Sequence, residues 1–168
     1  DWRVIMAGYG GKFAEEWGRK ARKHIEEHPE FGIKLASDSK AVSSWNLASP
    51  NRGGMTAVGI GGPTTGKGAH LLIIDDYLKD AEEAQSPLVR QKQWDWWVSV
   101  AKSRLEPGGY VIVLATRWHE DDLIGRFMET QPDRWHYINL PALAEEDDPM
   151  GREPGEALCP ERYDRDDL

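Results

Sequence analysis

Leu71-Leu72-Ile73-Ile74-Asp75-Asp76 is the stretch on which the fold turns. Four large apolar side chains in a row show no polar alternation, so the segment has to be buried on both faces. That is the signature of a strand inside a parallel sheet. The run is also too short for a buried helix, and glycines bound it upstream. Two aspartates follow at once. They belong at the C-terminal tip of the strand, where open α/β sheets bind their ligands.

The flanking sequence repeats the theme. Residues 3–7 form a short apolar run that predicts a buried strand, and Gly8, Gly10 and Gly11 turn the chain after it. Residues 13–27 predict a helix, with Phe13, Trp17, Ala21 and Ile25 recurring every four residues until Pro29 ends the pattern. Residues 31–52 are mixed and polar and read as irregular around Trp45, while 55–60 read as a strand. Further on, 87–105 have helical spacing through Trp94, Trp97, Val98, Ala101 and Leu105, and Pro107-Gly108-Gly109 breaks it. Residues 110–115 predict another wholly apolar strand, 121–129 a short helix, and 135–140 a last strand before a tail rich in Pro, Glu and Asp. No internal repeat is visible. Apolar strands alternating with helices predict a three-layer α/β domain with a mainly parallel sheet.

The chain of 168 residues has room for one domain with a substantial core. With 30% charged residues it reads as soluble and globular, and no run of about 18 apolar residues exists to cross a membrane. The first residues, Asp1-Trp2-Arg3-Val4, do not resemble a signal peptide and read as a cut end within a larger protein. A single cysteine, Cys159, excludes an internal disulfide framework and a multi-cysteine zinc site, in keeping with a reducing cytoplasm. The net charge of −8 argues against a surface built throughout for DNA. It leaves room for a local basic face at Arg19, Lys20, Arg22 and Lys23, whose plainer reading is a solvated helix surface. Eight tryptophans supply core or interface anchors, and exposed ones could stack on bases.

Residues Gly61 to Gly68, Gly-Gly-Pro-Thr-Thr-Gly-Lys-Gly, imitate a phosphate-binding loop. Such a loop works between a strand and a helix, because the helix N-terminus lends aligned N–H groups to the phosphates. Here the segment runs within three residues into the 71–74 strand, and Gly68 stands where a magnesium-binding Ser or Thr is needed. We therefore expect a glycine-rich hairpin or turn between two strands.

The chemistry lies instead in the acids and in the segment one strand later, VIVLATRWHEDDLIGRF at 111–127. A strand ending in Asp75-Asp76 has the form of the Walker B element. Its first acid, Asp75, would hold the hydrated Mg²⁺ of bound ATP, and its second, Asp76, would orient or deprotonate the attacking water. The alternative is an acidic pair that caps the next turn. Thr116 follows its strand as a γ-phosphate sensor does, with a neutral hydroxyl at the same sheet edge. Arg117 could add a positive charge or pair with Asp121 or Asp122. His119, Glu120, Asp121 and Asp122 could form a metal cluster, or Asp121 or Asp122 could cap the helix that follows.

Three segments, 61–84, 94–126 and 158–168, together resemble the large terminase subunit of tailed bacteriophages, the ATP-driven motor and nuclease of DNA packaging. The resemblance runs over nearly the whole chain, and its most specific part is TRWHEDDLIGR at 116–126. It implies that the Gly-Lys-Gly loop is not the nucleotide grip and that the true Walker A strand, loop and helix lie upstream, outside this chain. Residues 1–143 would then be part of the P-loop NTPase-like motor domain, incomplete at its N-terminus. Residues 144–168 would be a linker toward a nuclease domain that is also outside it. The implied site is Asp75 on magnesium, Asp76 as catalytic base in place of the more common Glu, and Thr116-Arg117 in the motif that couples hydrolysis to movement. The implied cofactors are Mg²⁺ and ATP. The implied partners are double-stranded viral DNA, a small terminase subunit, a portal protein and further copies in a ring, in the cytoplasm of an infected or lysogenic bacterial host. Two other readings stay open, a helicase-like P-loop ATPase and a non-catalytic remnant or assembly module that binds terminase partners or DNA.

Overall fold

The structure, a computed structural model, describes residues 2–62, 66, 68–163 and 165–167. In chain order the elements are β1 (Arg3–Gly8), α1 (Gly11–Glu27), β2 (Leu35–Ala41), β3 (Ser44–Leu47), β4 (Gly54–Gly59), β5 (Ala69–Asp75), α2 (Ala81–Gln85), α3 (Pro87–Trp96), β6 (Leu105–Leu114) and α4 (Leu123–Thr130). Among the described residues, six strands form one sheet in the order β2-β3-β4-β1-β5-β6. The pairs β1/β4, β1/β5 and β5/β6 are parallel, and β2 and β3 extend the sheet as antiparallel strands. The mixed α/β class with a mostly parallel sheet is therefore as the sequence predicts. The fully apolar strands stand in the parallel part, where both faces need cover.

On one face, α1 packs over β1 and β4 around buried Met6, Trp45 and Met55, with Val4, Ala21, Ile25 and Ile73 against them. The indole N–H of Trp45 donates to the carbonyl of Gly18 at 3.1 Å, which ties α1 to the β2–β3 hairpin. Ile5, Ala7, Leu72 and Ile74 alternate onto the other face and are buried there. The chain divides into two compact units, Asp1–Glu129 and Thr130–Leu168.

Four expectations change. The 31–52 stretch is not irregular, since it contains β2 and β3. These antiparallel strands at the end of the sheet carry many polar residues, which hid the alternation. The 135–140 segment forms no strand, because no described strand lies beside it to take its backbone hydrogen bonds. The helix from Pro87 stays α-helical only to Trp96, widens into a π-turn at Trp97–Ala101 and tightens into a 3₁₀ turn at Lys102–Arg104.

The fourth change concerns the glycine-rich segment. Its Pro63–Thr65 and Lys67 lie outside the described residues, yet the strands around it decide its class. β4 and β5 run parallel on opposite sides of β1. The connection between them is a crossover, and a hairpin is excluded because it would need antiparallel neighbours.

The second unit is held by an ion pair. Arg152 Nη2 lies 2.6 Å from Asp148 Oδ2, with both side chains nearly inaccessible to water. Arg152 holds the Asp148 carboxyl below its ordinary range, helped by the backbone N–H groups of Arg152 and Met150. An isolated bridge joins Leu143 to Ala157.

Gly18 sets how closely α1 can approach the hairpin. A Cβ there would stand 2.5 Å from the backbone oxygen of Val42. In an open helix Gly→Ala gains about 1 kcal/mol. Here the clash with a backbone atom outweighs it, so Gly18→Ala should destabilise the protein by about 1–3 kcal/mol in urea unfolding. A stabilised variant would show that α1 is free to shift.

Candidate functional site

The tip of β5 brings three of the sequence-derived residues to one edge of the sheet. Asp75 is the last residue of β5, level with Gly8 of β1 and Leu114 of β6. Asp76 then takes a left-handed backbone, with φ of 44°. Aspartate is among the few non-glycine residues found there. The conformation is pinned from both sides. The Asp76 N–H donates to the Leu114 carbonyl at 3.0 Å, and the Asp76 carbonyl accepts from the Tyr9 N–H at 2.9 Å. Thr116 leaves the adjacent strand two residues past Leu114 and is exposed.

The two carboxylates differ in environment. Asp76 is exposed and Asp75 half-buried. Burial pushes the Asp75 carboxyl above its ordinary value, and the negative Asp76 beside it adds to the rise. The Trp17 indole of α1 beside it works the other way and favours the charged carboxylate. A cation near the pair would relieve both the burial and the repulsion. Among the described residues there is no cluster of three or more His, Cys, Asp or Glu that could cage a metal. Mg²⁺ does not require one, since it keeps most of its waters and is held by one or two carboxylates together with substrate phosphates. Asp75 and Asp76 fit that pattern.

The HEDD segment is organised as a folded loop, and the metal-cluster alternative for it is not supported. His119 Nδ1 accepts from the Asp121 N–H at 3.0 Å. Asp122 caps α4, with its Oδ1 accepting from the Gly125 N–H at 2.9 Å. Its other oxygen receives the Arg117 Nε at 2.8 Å, and Asp122 itself is wholly buried. The structure thus selects Asp122 as the partner of Arg117, and Arg117 also donates to the carbonyls of His119 and Glu120. A side chain on Gly125 would run into the Glu120 carbonyl, which explains a glycine inside a helix here. Asp121 sits between two arginines: Arg126 Nε at 2.7 Å and Arg90 Nε at 3.1 Å. These pairings, Arg126 first, pull its carboxyl down to about 2.

Residues that the sequence reading passed over complete the arrangement. Trp17 reads as part of the apolar stripe of α1 and turns out to touch Asp75. Tyr77, directly after the acid pair, is buried with its phenol pushed upward by burial and by the charge of Asp122. Its backbone carbonyl accepts from Gln93 Nε2 at 2.6 Å, which links the strand tip to α3. No spacing rule points to these contacts. The basic face on α1 is drawn into local pairing: Lys23 lies 3.5 Å from Glu27, Arg22 3.9 Å from Glu26, and Lys20 stands 4.2 Å over the Trp17 ring. A solvated helix face is the better description of it.

Comparison with known proteins identifies the family and supports the fold. The sequence profile of the family described as terminase large subunit, T4likevirus-type, N-terminal matches residues 4–167. The chain belongs to that family. Its fold is also similar to the crystal structure of the HK97 bacteriophage large terminase, with a TM-score of 0.53 at 15% identity. That match covers 90% of this chain and 30% of the other, so the chain spans under a third of the related structure's length. No match was found among curated proteins.

Two outcomes test the loop. Asp122→Ala strands the Arg117 charge and removes the cap, so unfolding should show a loss of about 3–5 kcal/mol. The depressed carboxyl of Asp121 contributes stability above its ordinary value, near pH 4, that disappears as the pH falls toward 2. The urea midpoint should therefore drop less between pH 5 and pH 2 in Asp121→Asn than in the parent protein. Equal drops would mean that the arginine pairing gives no net stabilisation.

Proposed function

We propose that this chain is the part of a terminase motor domain that carries the metal-side acids and the phosphate sensor of an ATP-hydrolysing, DNA-packaging machine. The single observation that carries this reading is the common edge formed by Asp75, Asp76 and Thr116 at the C-terminal ends of two adjacent parallel strands. In such sheets that edge is the ligand-binding crevice.

The residues divide the work by their environments. Asp75, half-buried and repelled by its neighbour, is the acid with most to gain from a cation and would hold hydrated Mg²⁺. When bound, Mg²⁺ neutralises charge on the phosphate oxygens. Asp76, exposed and fixed in direction by its pinned backbone, would orient or deprotonate the attacking water. It is one methylene shorter than the Glu common in related motors. Thr116 would sense the γ-phosphate through a neutral hydroxyl. Arg117, tied to Asp122, would pass a change at Thr116 into the loop and α4 and would not itself meet phosphate. Hydrolysis would drive viral DNA through a ring of copies, with a portal protein and a small terminase subunit as partners. A lysine-bearing phosphate loop would come from outside the 168 residues.

The reading yields a paired expectation. The chain alone should bind Mg·ATP weakly or not at all by calorimetry and should turn it over negligibly. In the longer polypeptide, Asp75→Asn should cut Mg²⁺-dependent ATP hydrolysis by about 100-fold or more while leaving the fold intact. Full activity in that variant would sink the assignment. Robust turnover by the 168-residue chain would mean that the Gly61–Gly68 segment is a nucleotide grip after all.

A further inference from the structure

The turn that holds the acid pair lacks an ordinary cap. It runs Gly8-Tyr9-Gly10-Gly11 from β1 into α1, so every residue but Tyr9 is glycine. Gly10 is the N-cap of α1 and offers no side chain to the first free N–H groups, and no acid stands in the first helical turn. Glycine leaves such a connection conformationally loose. Yet this turn carries the Tyr9 N–H to the Asp76 carbonyl at 2.9 Å, and its Gly8 carbonyl accepts from the Ile60 N–H at 2.9 Å. Its direction has to be fixed by something other than a cap.

Three aromatic rings stand where that constraint is needed. Tyr9 stacks on Phe13 with ring centroids 4.8 Å apart and planes 27° apart. Phe13 meets Trp17, one helical turn further on, edge to face at 6.5 Å and 87°. Phe13 also lies against the bare backbone of Gly8: a Cβ there would stand 2.6 Å from the Phe13 ring and 3.2 Å from the Asp75 backbone oxygen. Trp17, the last ring, lines one apolar groove together with Asp75 and carries Lys20 Nζ 4.2 Å over its face. Tyr9 and Trp17 are 40% and 39% exposed, so the core around Met6, Trp45 and Met55 does not account for them. An apolar residue ahead of an N-cap that packs on the first turn fixes the angle at which the chain enters its helix. The Tyr9–Phe13 stack does this one residue short of the usual spacing.

We propose that Tyr9, Phe13 and Trp17 are positioning residues for the acid pair, with Phe13 as their hub. Phe13 clamps Tyr9 and Gly8 together and so keeps the Tyr9 N–H on the Asp76 carbonyl. Trp17 walls the side of the groove on which Asp75 lies. The rings act through Asp75 and Asp76 and not on substrate. Stacked and edge-to-face rings fix mutual orientation as well as distance, which an aliphatic side chain of similar volume does not. The catalytic consequence rests on the reading of Asp75 and Asp76 as the metal-side and water-side acids, whereas the hold on the turn is independent of it.

Two readouts on the longer polypeptide test this role. In hydrogen exchange without nucleotide, the Tyr9 amide should exchange about 10-fold faster in Phe13→Leu than in the parent, with the Leu71–Ile74 amides unchanged. In steady-state hydrolysis, Phe13→Leu should lower kcat about 10-fold at an unchanged KM for ATP and raise the Mg²⁺ concentration that gives half the maximal rate. Phe13→Tyr keeps the ring and should restore both readouts. Trp2→Leu removes a stack on Tyr110 at the opposite end of the sheet and should change neither. If Phe13→Leu loosens the whole sheet, Tyr9→Leu, which retains the N–H, gives the same comparison. A Tyr9 amide as protected in these variants as in the parent would overturn the proposal. So would an unchanged kcat in Phe13→Leu when Asp75→Asn abolishes hydrolysis. Full activity in Asp75→Asn would instead remove the nucleotide reading, and the exchange rates alone would then decide whether the rings hold the turn.

Discussion

Two backbone hydrogen bonds at the tip of β5 fix the geometry of the acid pair. Asp76 donates to the end of β6 and accepts from the start of the turn after β1, so its direction is set by both neighbours of its strand. The left-handed conformation this demands costs of order 1 kcal/mol or more and persists because the flanking strands over-determine it. A pair of adjacent acids would otherwise splay into solvent as a mobile turn. Here one is half-buried beside Trp17 and the other exposed on a pinned backbone, which gives two chemically alike groups different environments.

The segment after β6 is organised by the same logic of over-determination. Asp122 is buried, and it is satisfied only because it caps α4 and pairs with Arg117 at once. Removing water from a carboxylate is expensive, so such a group tolerates only one arrangement of its partners. Arg90, Asp121 and Arg126 form a second ion-pair network that ties α3 to α4. The charged letters of the motif are thus mostly spent on holding a loop, and Asp75, Asp76 and Thr116 stand outside that network as the residues of the proposed site. Arg117 connects the two groups, since its neighbour in sequence is the proposed sensor and its neighbour in space is the helix cap.

The contrast between β6 and the two strands at the far end of the sheet shows how position and composition can disagree. β2 is the edge strand there, polar and irregular in its pairing with β3, and it ends the sheet safely. Among the described residues, β6 ends it with apolar side chains and a backbone paired on one side only. The difference concerns solubility as much as architecture, because an apolar edge left uncovered invites pairing with any available strand.

The sequence by itself determined the four apolar strands of the parallel part of the sheet and the place of two acids at a strand end, and it argued against a phosphate loop at Gly61–Gly68. All of these follow from local patterns: a run of four apolar residues, two acids at its end, and a glycine where a hydroxyl is needed. Only the tertiary structure decided which acid faces inward, that Asp122 and not Asp121 takes Arg117, that 31–52 carries a hairpin, and that 135–140 is no strand. Those outcomes depend on partners far away in sequence. Trp17 reaches Asp75 across 58 positions, and Trp45 meets Gly18 across 27. Periodicity reports which face of an element is apolar. It carries no information about what will lie against that face, and strand pairing and ion-pair choice are settled there.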